Sequence, residues 1–187
     1  MPSIVTGIDA SLTGTAICAL SLKDLHMAHV CTLTAPKGVG GIQRLRWLSS
    51  RLHRVLCEVA ALAGTSEKMH IFIEGYAFCA RGASVVSLGE LGGIYRLLLA
   101  KRWGGYNEIP PTSMKKFICG KGNANKNVVL EQCYRKFAIG SDRLRNDNEV
   151  DAYCLARMGA AFLGTPGYKM SKIDIVALKG IGEKCTL

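Results

Sequence analysis

Residues 3–34 read SIVTGIDASLTGTAICALSLKDLHMAHVCTLT, and the spacing within this stretch decides the fold. Three runs rich in Ile, Val, Thr, Leu and Ala occupy 3–10, 14–22 and 26–34. Gly14 separates the first pair and a Lys23-Asp24 turn the second pair. Runs this short and this close predict an antiparallel meander. From Ile42 to Leu62 the period changes. Ile42, Leu45, Leu48, Leu52, Val55, Leu56, Val59 and Leu62 follow helical spacing. A strand-like IFIE at 71–74 ends at Gly75. A second helix is expected over 84–102, with Val85, Leu88, Leu91, Ile94, Leu97 and Leu98 inward. A short strand at 106–109 is stopped by Pro110 and Pro111. Helices near 112–119 and 126–138 flank the loop GKGNANK, and a last helix covers 147–163 before Gly164-Thr165-Pro166-Gly167. The order is three antiparallel strands, helix, strand, helix, strand, helices. It predicts an α/β fold whose mixed sheet, three antiparallel strands and then parallel ones, is flanked by helices on both faces.

A chain of 187 residues suits one domain with a proper core, and 49% apolar residues exclude a disordered chain. We expect the domain over 1–164 and a basic C-terminal tail over 165–187, where Tyr168, Lys169, Lys172 and Lys179 could touch an acidic partner or trail in solvent. No apolar run approaches the roughly 20 residues of a membrane span. The opening MPSIVTGIDA has no basic segment before an apolar one. A cytoplasmic protein is the expectation. The eight cysteines are each 13 or more positions apart, so no CxxC pair begins a zinc site, and they read as reduced, buried thiols. Lys and Arg outnumber Asp and Glu by 24 to 14, a net charge of +10 that favours nucleic acid or another anionic surface.

Four of the 14 carboxylates stand where charge is not expected. Asp9 interrupts an apolar strand in GIDASLTGT, and an unpaired carboxylate is costly there unless it meets a cation or caps a turn. Glu74 repeats the pattern at the end of HIFIE; it either solvates a strand end or joins Asp9 at one sheet edge. Asp151 leads the apolar line Leu155, Met158, Phe162 on the last helix. Asp147, four residues earlier, shares that helix face, although a capping box of Asn146 with Glu149 would also explain it. Gathered together, these acids would repel unless divalent cations sat between them, and hard oxygen donors suit Mg²⁺ or Mn²⁺. Two such ions can drive phosphodiester hydrolysis. Among basic residues, Lys115 and Lys116 in MKKF, and Lys121 and Lys126 in GKGNANK, suit phosphate contact.

Four blocks, GIDASLTGT, IEGYAF, PPTSMKKFICGKGNANK and DNEVDAYCLA, in this order and at these intervals, resemble the RuvC family of Holliday-junction resolvases. The short blocks and divergent tail are nearest to bacteriophage versions, which would place the chain in a host bacterial cytoplasm. The resemblance covers roughly residues 4–163. It implies a ribonuclease H-like fold and a two-metal endonuclease acting on four-way and related branched DNA as a homodimer. It further implies metal-binding roles for Asp9, Glu74, Asp151 and Asp147, with Lys115 and Lys126 near the scissile phosphate. Many members carry the second helix ligand three positions before the last aspartate; that position here is Asn148, and the available acid is Asp147. The loop after Glu74 carries a wedge aromatic in the family, making Tyr76 and Phe78 candidates, with Arg81 near a phosphate. Alternatives are a general ribonuclease H-like nuclease on RNA–DNA hybrids or flaps, an actin-like or sugar-kinase-like nucleotide binder, and a non-catalytic DNA-binding protein.

Overall fold

Glycine and a tight turn cut the first 34 residues into strands, as their spacing predicts. The computed structural model describes residues 3–63, 69–76, 84–140 and 142–184. In chain order the elements are β1 (Ile4–Asp9), β2 (Thr15–Ser21), β3 (Met27–Leu33), α1 (Gly41–Ala63), β4 (Met69–Glu74), α2 (Ser84–Trp103), β5 (Tyr106–Ile109), α3 (Pro111–Cys119), α4 (Lys126–Phe137), α5 (Asp147–Phe162), α6 (Lys172–Leu178) and β6 (Gly182–Lys184). The strands form one sheet in the order β3-β2-β1-β4-β5-β6. β1 pairs antiparallel with β2 and parallel with β4; β5 continues the parallel run and β6 closes it antiparallel. This is the expected mixed sheet.

Because side chains alternate across a strand, β1 and β4 serve two cores. Ile4, Ile8, Ile71 and Ile73 face α1 and α2, where they meet Leu48, Leu52, Leu91 and Tyr95. Val5 and Phe72 face the opposite way, against α3, α4 and α5. Every residue of α5 from Glu149 to Ala161 except the half-buried Asp151 is buried, so this is an interior helix. Its small residues let it approach the sheet closely. A Cβ on Gly7 would lie 2.2 Å from the carbonyl oxygen of Ala152 and 2.5 Å from the amide nitrogen of Ala156. One on Gly159 would sit 2.5 Å from the Phe72 ring.

Two apolar stripes differ from their sequence reading. In α1 the inner residues Leu45 to Val59 are buried, but Ile42 and Leu62 at its ends are exposed. A 23-residue helix is roughly 34 Å long and outruns strands of six or seven residues, roughly 20 Å. In α2 the buried line is Leu91, Tyr95, Leu99, while Val85 and Leu97 face outward. Tyr95 lies inside because its hydroxyl finds the Thr15 hydroxyl at 2.9 Å.

The segment expected as a tail, 165–187, contains two short elements. Ser171 and Asp174 form a reciprocal capping box that starts α6, and Asp174 accepts from Lys136 of α4 at 2.6 Å. β6 then covers the free edge of β5. A seven-residue helix and a three-residue strand carry too little periodicity to read locally; a long-range ion pair and an open sheet edge define them. The six described cysteines, Cys18, Cys31, Cys57, Cys119, Cys133 and Cys154, are free thiols, while Cys79 and Cys185 lie outside the described residues. Among the described residues, no helix is long and apolar enough to cross a membrane.

Two glycines test the packing with opposite signs. Gly7→Ala forces β1 and α5 apart, and overpacking of about 1–3 kcal/mol should lower Tm by roughly 3–10 °C. Gly93→Ala places its methyl in open space on α2 and should hold or raise Tm through helix propensity. Circular dichroism melts of both variants check the pair.

Candidate active site

The same close approach that fixes α5 also assembles the acids. Gly7 and Asp9 are two positions apart on β1 and therefore share the face turned to α5. Phe72 and Glu74 bear the same relation on β4. The last paired residues of β1 and β4 are Ile8 and Ile73, so Asp9 and Glu74 stand side by side one step further on. Asp151 immediately precedes Ala152, whose carbonyl meets Gly7. Two parallel strands and one helix thus deliver three carboxylates to one end of the sheet.

Electrostatics register this proximity. Burial pushes the Asp9 carboxyl up to about 8, with Glu74 and Asp151 adding repulsion and Lys126 opposing it. Glu74 is raised to about 7 by burial and by Asp151, against Lys115 and Lys126. Asp151 is raised to about 6, again by burial first, with Lys126 opposing and Asp147 adding. Asp9 is only 7% exposed. Three acids held this near neutrality, by burial first and by neighbouring acids second, are poised for cations.

The fourth acid, Asp147, is exposed in the first turn of α5 and lines a small cleft with Asp151 and Lys126. Its helix start is capped by Asn146, whose side-chain oxygen accepts from the Glu149 amide at 3.0 Å. The expected reciprocal box is absent, because Glu149 accepts instead from the Arg145 amide at 2.8 Å and the Thr32 hydroxyl at 3.0 Å. Asn148 donates to the Gly14 carbonyl at 2.9 Å, which ties α5 to the β1–β2 hairpin and commits that side chain to structure.

Of the four lysines, Lys115 and Lys126 are the two whose charge reaches the acids. Lys126 begins α4 directly after the cap Asn125, and Lys115 lies on α3. Lys121 is exposed in the loop between these helices. Lys116 lines a separate shallow pocket with Thr112 and Val176. Tyr76 is 38% exposed, and Phe78 and Arg81 lie outside the described residues. Among the described residues, no three of the His, Cys, Asp and Glu side chains close round a single point tightly enough to cage an ion as they stand. The donor set itself, carboxylate oxygens in mutual repulsion, fits hard divalent cations.

Sequence reading missed Arg96. From α2 its Nη2 donates to the Glu74 carbonyl at 2.9 Å and its Nε to Glu108 at 3.0 Å. The guanidinium lies 4.0 Å from the Tyr76 ring centroid. One side chain therefore fixes the end of β4, the partner strand β5 and the first aromatic of the following loop. The only sequence signal is an arginine in an otherwise apolar stretch, GGIYRLLLA.

The model of the family described as crossover junction endodeoxyribonuclease RuvC matches residues 5–157. The chain belongs to the RuvC family. Among curated RuvC proteins of that description, the one from Parvibaculum lavamentivorans is 28% identical over 169 residues, 86% of this chain and 91% of the relative. That from Heliobacterium modesticaldum is 24% identical over 155 residues, covering 82% and 91%. Among solved structures, Thermus thermophilus RuvC in complex with Holliday junction substrate superposes with a TM-score of 0.66 at 18% identity, over 87% of this chain and 97% of that one. A second Thermus thermophilus RuvC structure gives 0.65 at 17%, with the same coverage. The RuvC fold is ribonuclease H-like, and this chain has it. The match ends at residue 157, before α6 and β6.

The raised acids make the stability of the metal-free protein depend on pH. Each holds a proton in the folded state at a pH where the unfolded carboxyl has lost it, so their contribution falls as pH rises from about 4 to about 8. Tm measured in EDTA should therefore decline between pH 5 and 8. Asp9→Asn should flatten that decline and raise Tm at pH 8; an unchanged slope would show that the folded protein does not hold Asp9 protonated.

Proposed function

We propose that this chain is a crossover junction endodeoxyribonuclease that hydrolyses phosphodiesters in four-way and related branched DNA. The observation that carries this reading is the gathering of Asp9, Glu74 and Asp151 at one sheet end within a chain of RuvC descent. Asp9, Glu74, Asp151 and Asp147 would hold two divalent cations, Mg²⁺ or Mn²⁺. When bound, such ions supply an activated water and stabilise the leaving oxygen. Asp9, whose charge is opposed by both Glu74 and Asp151, would hold a cation together with either neighbour. Asp147, the most exposed of the four, would complete the set at its rim.

Lys126 and Lys115 serve the substrate. Their positive charge already offsets the acids in the free protein, and a phosphate entering the cleft would take over part of that pairing. Lys121, on its exposed loop, is placed to contact the backbone further out. Tyr76, held by Arg96, offers a ring for stacking on an unpaired base, worth ~1–3 kcal/mol; Phe78 and Arg81, outside the described residues, are offered for the same DNA contact. Two symmetric nicks need two sites, which a two-fold homodimer would supply, and the exposed Val86 and Leu97 of α2 are offered as its surface.

The decisive experiment is cleavage of a labelled four-way junction beside linear duplex, a flap and an RNA–DNA hybrid, with Mg²⁺, with Mn²⁺ and with EDTA. Paired nicks on the junction that vanish in EDTA are expected. Cutting of the hybrid or flap alone would move the function to a general nuclease. Asp9→Asn, Glu74→Gln and Asp151→Asn should each abolish cutting while leaving junction binding within a few-fold. Lys126→Ala should slow cutting with a smaller loss of binding. Ligation requires the deprotonated acids, so the metal concentration for half-maximal cutting should fall as pH rises from 6 to 8. Arg96→Ala should raise that concentration by freeing the Glu74 strand end, whereas junction affinity in EDTA should change less.

A further inference from the structure

The opposite end of α5 carries a second feature that the acidic cleft does not use. Arg157 lies six residues beyond Asp151, about 9 Å along the helix axis. It is 8% exposed, yet it forms no ion pair with any described carboxylate. Its Nη2 donates to the Pro166 carbonyl at 3.2 Å and its Nη1 meets the Tyr153 hydroxyl at 3.5 Å, while its Nε has no partner. The guanidinium lies 4.2 Å from the centroid of the Phe137 ring. A buried guanidinium with only neutral partners and a free N–H is under-compensated.

That guanidinium lines a cavity of about 550 Å³ between the β2–β3 turn, the end of α4 and the 164–168 turn. The other charges on its wall do not neutralise it. Lys136 is already paired with Asp174 at 2.6 Å. Asp24, which also lines the cavity, is exposed and accepts from the His26 amide at 3.0 Å. Arg143 adds a further positive charge on an exposed stretch. The volume lies within the ~300–1,000 Å³ of small-molecule sites and is far larger than a bare oxyanion needs. The Phe137, Tyr153 and Tyr168 rings give the rest of the wall an aromatic character.

We propose that this cavity binds a small organic phosphate, its oxyanion on the Arg157 guanidinium that lines the wall and beside Arg143, and its planar body against the aromatic wall, apart from the acidic cleft. The inference does not depend on the nuclease reading.

Deoxyadenosine monophosphate is the probe, with inorganic phosphate as the arm that lacks the planar body. Both are titrated into the full metal-free chain by calorimetry. The nucleotide should bind more tightly than phosphate alone. Arg157→Gln should weaken it at least about tenfold, the usual effect of removing a charged donor. Lys126→Ala and Asp9→Asn, which alter the acidic cleft, should leave it unchanged. Should Arg157→Gln fail to fold, Arg143→Glu at its exposed position must still weaken binding several-fold. Absence of nucleotide binding to the wild-type chain at millimolar concentration would overturn the proposal. So would binding that survives both arginine changes or disappears with Lys126→Ala. Equal affinity for phosphate and nucleotide would overturn the aromatic part.

Discussion

The rest of the structure depends on how closely α5 lies on β1. At Gly7 the helix backbone comes within the distance a methyl group would need, and that approach sets the height of α5 over the sheet. A larger residue there would lift the helix and take Asp151 with it. The acids occupy the last positions of β1 and β4 and the first turns of α5. Their separation is therefore a by-product of backbone packing rather than of side-chain choice. Helix, sheet and site are one geometric statement.

Holding three carboxylates together works against folding, and the surroundings show how the opposition is contained. Burial does most of the raising at each acid, and neighbouring acids add to it. Lys126 and Lys115 act in the other direction. They stand at the start of α4 and on α3, so the two short helices after Pro110 bring compensating charge to a site built from other elements. Arg96 adds no charge to the acids but anchors the chain at the point where Glu74 leaves the sheet.

Much of this was legible before any coordinates. Asp9 and Glu74 stood out because a charge in an apolar alternating run has few local explanations, and Asp151 because it led a buried stripe. What stayed hidden depends on partners far along the chain. Tyr95 is inside for a hydroxyl 80 residues away. Arg96 matters for a carbonyl 22 residues away, and α6 is held by a lysine 38 residues away. Asn148 illustrates the limit most clearly. It stands where many family members carry a ligand, and its amide is spent on Gly14 across 134 residues. Local pattern reveals which residues are out of place; only the fold reveals which neighbour explains them.

The alternation of β1 and β4 has a further consequence. Ile8 and Ile73 belong to one core and Asp9 and Glu74 to the other face, with a single thickness of sheet between them. The protein is thereby insulated into two compartments that can drift at different speeds. The α1 and α2 side can be re-sculpted by repacking Leu, Ile and Val of similar volume without shifting the chemistry. On the α5 side, backbone touches backbone and there is no slack to trade. Relatives separated by long divergence should therefore keep the small residues of α5 while the apolar packing between α1, α2 and the sheet varies.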